Sequence, residues 1–184
     1  MTETTKLTLI LDLLHERHPG LTAPLGGALV EAAAVCLDRH HDSPVEVDVS
    51  SASRTSKRLV DFSKPDSRAL NAWANDIDAT EWGAYGICLA AVEVEERLVA
   101  VRRADTLTGA DWYVAPVGTD PEDLENCFRL EVSGVDLGGP SVVKARLRQK
   151  VDQARRGASN LPAIASVVGF KELTIAIQKV SDGR

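Results

Sequence analysis

No apolar run in this chain approaches the ~18–20 residues that span a bilayer. The opening stretch, MTETTKLTLILDLLHERH, is broken by Asp12 and Glu16 where a secretory leader needs an unbroken apolar core, so a cytoplasmic protein with no membrane partner is expected. Cysteine is scarce. Cys36, Cys88 and Cys127 are odd in number, far apart and without a CxxC pair, which argues against a disulfide framework and suits small buried thiols in a reducing compartment. Cys36 and His40 stand four apart on an expected helix, but no third ligand lies at a local spacing, so no zinc site is read there. With aromatics at only 4%, Trp82, Trp112 and Tyr113 are expected in the core rather than as a base-stacking array. GxSxG, HExxH, Walker A and GxGxxG patterns are all missing, which removes the simplest hydrolase, zincin and nucleotide-binding readings.

What is present is ordinary for a globular chain: 184 residues, 44% hydrophobic and 26% charged, enough to bury about two-thirds of the unfolded surface in one domain over 1–184. Charge is distributed unevenly. The net charge is −6, yet from Ser141 to Arg184 nine Lys or Arg face three Asp or Glu, a net +6 that leaves −12 on the first 140 residues. Such a basic segment marks either a polyanion-facing surface or a solvated helix balancing an acidic half.

Hydrophobic rhythm predicts helices over 4–17 and 23–40, then a strand in which Val45, Val47 and Val49 alternate with Glu46, Asp48 and Ser50. SSASRTSK (50–57) reads as a loop, and a short helix over 66–76 turns Leu70 and Trp73 inward. Together 1–65 form an N-terminal helical segment plus a strand, ahead of a core over 66–184. A helix over 79–95 carries Trp82, Tyr85, Leu89 and Val92 as a buried stripe with Glu81 at its border. Strands follow at 98–101, 111–114 and 127–132, then a helix over 142–156 capped by Ser141, with Leu147, Val151 and Ala154 buried. Strands at 163–169 and 173–180 complete the chain. The fold class is therefore α/β, a mixed central sheet flanked by helices.

From residue 79 onward the order is helix, three strands, helix, two strands. The αβββαβ core of that order, with Asp111 in Gly109-Ala110-Asp111 and Glu131 in Leu130-Glu131-Val132-Ser133-Gly134, resembles the restriction-endonuclease-like, PD-(D/E)XK nuclease superfamily over roughly residues 79–170. The resemblance implies a nuclease hydrolysing or binding nucleic acid phosphodiesters. It implies Mg²⁺ held by Asp111 and Glu131, with Glu81 assisting from the preceding helix. Such chemistry needs a cation that neutralises phosphate charge and generates hydroxide near pH 7.

The sequence departs from that family where a catalytic Lys is expected, because Ser133 stands there. A hydroxyl coordinates or hydrogen-bonds but adds no positive charge. Arg146, Lys150 and Gln153, spaced by four and three, share one face of the 142–156 helix and can look back at the carboxylates, so Lys150 is the expected replacement. Arg146, Arg148, Gln153, Arg155 and Arg156 would meet nucleic acid. Each acid also has a plain structural reading: Asp111 as a strand-entry turn residue, Glu131 paired with Arg129 or Arg103, Glu81 compensating a helix dipole. The competing function is a catalytically inactive accessory or protein-interaction subunit that keeps the fold and docks a protein partner.

Overall fold

In the computed structural model, which describes residues 7–52, 54–106, 108–157 and 159–180, the chain forms a mixed α/β structure on one sheet. Its N-terminal part contains β1 (Thr8–Leu9), α1 (Leu14–Arg17), α2 (Ala23–Asp38), β2 (Val45–Ser51), β3 (Arg54–Val60) and α3 (Ser67–Ala72). Then come α4 (Asp76–Glu96), β4 (Leu98–Arg103), β5 (Trp112–Pro116), β6 (Phe128–Val135), α5 (Pro140–Arg156), β7 (Ala163–Gly169) and β8 (Thr174–Val180). The eight strands lie in the order β1-β3-β2-β8-β7-β6-β5-β4. No helix among the described residues is long and apolar enough to cross a membrane.

Local sequence explains most of these elements. Thr22 accepts from the Leu25 N–H and Asn75 from the Ile77 and Asp78 N–H groups, so α2 and α4 each start on a side-chain cap. β4, β5 and β6 form an antiparallel meander, and the chain then crosses through α5 to lay β7 parallel to β6. Alternation along β6 sends Leu130 and Val132 into the large core beneath α4 and α2, while Glu131, Ser133 and Val135 face α5. On that second face Val151 and Ala154 pack on Ala163, Ala165 and Val180, with Leu147 half-buried beside them. α4 sits unusually close to β6: a Cβ on Gly134 would lie 2.5 Å from the Thr80 carbonyl oxygen, so only glycine fits there.

Several expectations need correction. The helix expected over 4–17 is helical only at Leu14–Arg17; residues 4–6 lie outside the described residues, and Thr8–Leu9 instead pair in parallel with Leu59 and Val60. Leu9 and Leu11 are buried while Ile10 between them is 55% exposed, so this stretch alternates as a strand does. The loop expected over 50–57 is the end of β2 and most of β3. Its buried face carries polar groups, which hides the strand pattern: Arg54, Ser56 and Arg58, two residues apart, all donate to Glu95 of α4, at 3.3, 3.0 and 2.7 Å. The strand expected at 111–114 runs from Trp112 to Pro116. Leu70 is exposed and Ala69 takes the buried position on α3, while Trp82 is half out of the core. Ser141 lies inside α5, whose cap position is Gly139, because Pro140 already occupies the first turn.

His18 ties the N-terminal segment to the edge strand β4. Its ring is fully buried, Nδ1 accepts the Ala100 N–H at 2.9 Å, and Nε2 therefore holds the proton and donates to Glu93 at 3.2 Å. Burial lowers its pKa from 6.5 against the opposing pull of Glu93. Because the unfolded chain then binds the proton more readily, stability contributed here is complete above pH 6.5 and is lost as pH falls. Unfolding free energies from denaturant titrations between pH 8 and pH 5 are expected to decline with a slope of up to about 1.4 kcal/mol per pH unit from this group, and His18→Gln flattens that part of the curve.

Candidate functional site

Asp111 stands just before β5, with its backbone N–H donating to the Leu130 carbonyl at 2.8 Å. Its Oδ2 accepts the Val132 N–H at 2.8 Å, extending the β5–β6 ladder by a side chain, so the residue stands at strand entry but bonds β6 rather than its own loop. Its Oδ1 does something further, accepting from Tyr85 Oη at 2.8 Å. The same phenol lies 2.8 Å from Glu81 Oε1, one helical turn back on α4. A phenol has one proton, so it can donate to only one of these two carboxylates at a time. Arg103 sits alongside, its Nη2 donating to Tyr85 Oη at 3.3 Å and lying 4.0 Å from Asp111 Oδ1. Burial and the Asp111 charge push the Tyr85 hydroxyl upward, so it stays protonated at neutral pH.

Glu131 lies mid-strand under α5, with a side chain only 3% exposed. Lys150 Nζ reaches down from the helix to its Oε1 at 2.7 Å and also donates to Gln153 Oε1 at 3.3 Å. One turn earlier, Arg146 Nη1 approaches Ser133 Oγ at 3.5 Å. Arg146, Lys150 and Gln153 thus share the face facing the carboxylate end of the sheet, as their spacing predicts. Burial and the nearby Asp111 charge raise the Glu131 carboxyl above its ordinary value, with Lys150 and then Arg103 pulling it back down.

Two open clefts meet at this point. One, of about 540 Å³, is bordered by Thr80, Glu81, Tyr85, Ser133 and Arg146; the other, about 830 Å³, by Arg103, Glu131, Gln153 and Arg156. Asp111 and Lys150 border both.

Other expected residues stand elsewhere. Arg129 is not the partner of Glu131: its guanidinium donates to the carbonyls of Leu161, Thr108 and Ala154, fastening two loops to the end of α5. Glu81 is not a first-turn residue, since Asp76 and Asp78 hold that place on α4. Arg148 is exposed with its Nε toward the Lys144 carbonyl at 3.5 Å, Arg155 pairs with Asp152 at 3.5 Å, and neither borders the two clefts. Cys36 and His40 do not meet as ligands; His40 lies beyond the end of α2 and faces Asp136 at 2.9 Å, while Cys36 is buried. Tyr85 and Arg103 were missed as site residues. Tyr85 reads as one member of an apolar stripe, and the only hint of its hydroxyl's role is Glu81 four residues earlier.

Among the described residues, no three His, Cys, Asp or Glu side chains stand together in a group able to hold a metal. Asp111, Glu81 and Glu131 offer hard oxygens. They suit Mg²⁺, which keeps several waters and is bound through one or two carboxylates, better than zinc or copper, which favour imidazole and thiolate. Each Asp111 oxygen accepts one hydrogen bond and has capacity for another. No protein family, curated protein or solved structure matches this chain.

Lys150→Met tests the buried pair. Leaving Glu131 in place without its cation is expected to cost about 3–5 kcal/mol of unfolding free energy at pH 8, and Glu131→Gln in the same chain recovers most of the loss. A double-mutant cycle read by urea unfolding checks it; independent, additive losses would show that the contact is not energetically coupled.

Proposed function

We propose that the chain is a Mg²⁺-dependent nuclease-like protein that hydrolyses phosphodiesters, its residues 79–170 forming a restriction-endonuclease-like core. The observation that carries the reading is the 2.7 Å contact from Lys150 Nζ to Glu131 Oε1. It puts a lysine ammonium, supplied by α5, beside the acid of β6, the charge that Ser133 does not provide. The meander β4-β5-β6 followed by α5 and parallel β7 is consistent with the same reading.

Asp111 and Glu131 would hold the ion, which when bound neutralises phosphate charge and lowers the pKa of a bound water. Lys150 keeps a positive charge at Glu131 and can orient a water or stabilise charge developing on phosphate oxygens. Tyr85 fixes Asp111 Oδ1 and shares its single proton between Asp111 and Glu81, so a cation arriving there meets a carboxylate not fully satisfied by hydrogen bonds. Arg146 and Arg156 line the two clefts on either side of Lys150, where a phosphate backbone would run. The competing reading, an inactive accessory subunit, draws support from Ser133 and from the net charge of −6.

Cleavage of plasmid and single-stranded DNA with Mg²⁺, and its loss in EDTA, decides between them. Asp111→Asn and Glu131→Gln are expected to lower the rate at least about 100-fold, and Lys150→Ala by about 10²–10⁴-fold, with unchanged circular dichroism. Wild-type protein that binds nucleic acid without cutting it supports the accessory reading. A rate indifferent to all three substitutions removes the nuclease.

A further inference from the structure

We propose that a small pocket beside the carboxylates receives one unstacked nucleobase, making single-stranded or locally opened nucleic acid the substrate class; this deepens the nuclease reading and rests on it. The pocket holds about 180 Å³ and is lined by Leu25, Leu29, Trp82, Tyr85, Arg103 and Trp112. At roughly 30 Å³ per water that is room for about six waters, or for one planar heterocycle between apolar walls.

Three features point to a base rather than to plain apolar filling. First, aromatic rings make up half of the lining, Trp82, Tyr85 and Trp112, the kind of surface on which a base stacks. Second, Arg103 is already stacked within the wall, its guanidinium carbon 4.6 Å from the Tyr85 ring centroid and 4.8 Å from that of Trp112. Its Nη2 is held by the Tyr85 hydroxyl at 3.3 Å, and the planar cation so positioned adds a stacking surface for a base. Third, Trp82 is 36% exposed although its place on the α4 stripe predicts burial, and it is backed by Trp73 at 5.7 Å between ring centroids. It therefore offers an open π-face of the kind that single-strand binding uses.

Position joins the pocket to the chemistry. Tyr85 lines it while the Tyr85 hydroxyl touches Asp111 at 2.8 Å on the other side, so one phenol separates a bound base from the carboxylates. Seating a base here places its own phosphodiester over the cleft. A base still paired and stacked in a duplex cannot enter, which is why the substrate must be single-stranded or must release one nucleotide.

Full-length protein in Mg²⁺-free buffer is titrated, by fluorescence anisotropy, against a 12-mer of deoxythymidylate, a fully abasic 12-mer carrying the same phosphates, and a blunt duplex. Wild type is expected to bind the deoxythymidylate strand about 5- to 150-fold more tightly than the abasic strand. Trp82→Ala removes that difference and Trp82→Phe retains it. Equal affinity for deoxythymidylate and abasic strands, or discrimination that survives Trp82→Ala, overturns the base pocket while leaving the nuclease reading intact. Duplex bound more tightly than either strand overturns the substrate class. Failure of every nucleic acid to bind overturns both the pocket and the reading beneath it.

Discussion

A carboxylate in the middle of a covered strand must have a cation, and Glu131 obtains one from Lys150 at 2.7 Å. That requirement ties the remaining geometry together. β6 is flanked by neighbours on both sides, so Glu131 has no route to bulk solvent along the sheet. The helix that crosses from β6 to β7 brings the nearest charge to it, and it does so because Val143, Val151 and Ala154 fix its rotation on the sheet. The polar face that remains holds Arg146, Lys150 and Gln153. A buried ion pair of this kind contributes little net stability, since desolvation offsets attraction.

The opposite layer contributes the second acid by different means. Asp111 is held in plane by the Val132 N–H and from α4 by Tyr85, and α4 comes close enough because Gly134 has no side chain. Helices on the two faces of the sheet therefore meet at one strand end, α4 supplying the phenol and α5 the ammonium. The two clefts share Asp111 and Lys150 for this reason, and a chain running from one to the other passes both charged groups.

Much of this order was legible before any coordinates. The succession of elements from α4 to β8 follows from apolar periodicity and turn residues, and the parity of β6 places Glu131 and Ser133 on one face and Leu130 and Val132 on the other. The four-residue step from Arg146 to Lys150 likewise puts both on the face of α5 where Lys150 meets Glu131. What escaped notice in β3 has one cause, a helix-facing side that is polar. β3 uses Arg54, Ser56 and Arg58 against Glu95 where a strand pattern expects valines, so alternation of hydrophobicity is absent. β1 is two residues long and depends on β3 for its pairing, so it could not be seen without β3. Tyr85 looked apolar because most of its ring is buried, and Arg103 gave no signal because its partners, Tyr85 and Trp112, come from separate elements.

The central claim is that Asp111 and Glu131, arriving from different strands, serve one hard cation. Titration of the full-length protein with Mn²⁺, a paramagnetic substitute for Mg²⁺, measures this directly through the loss of the free-ion electron spin resonance signal. One ion per chain is expected for the wild type, with affinity reduced at least about tenfold in Asp111→Asn and again in Glu131→Gln, about 1.4 kcal/mol for each. A wild-type protein that leaves all the Mn²⁺ free, or variants that bind it as tightly as wild type, would contradict the account.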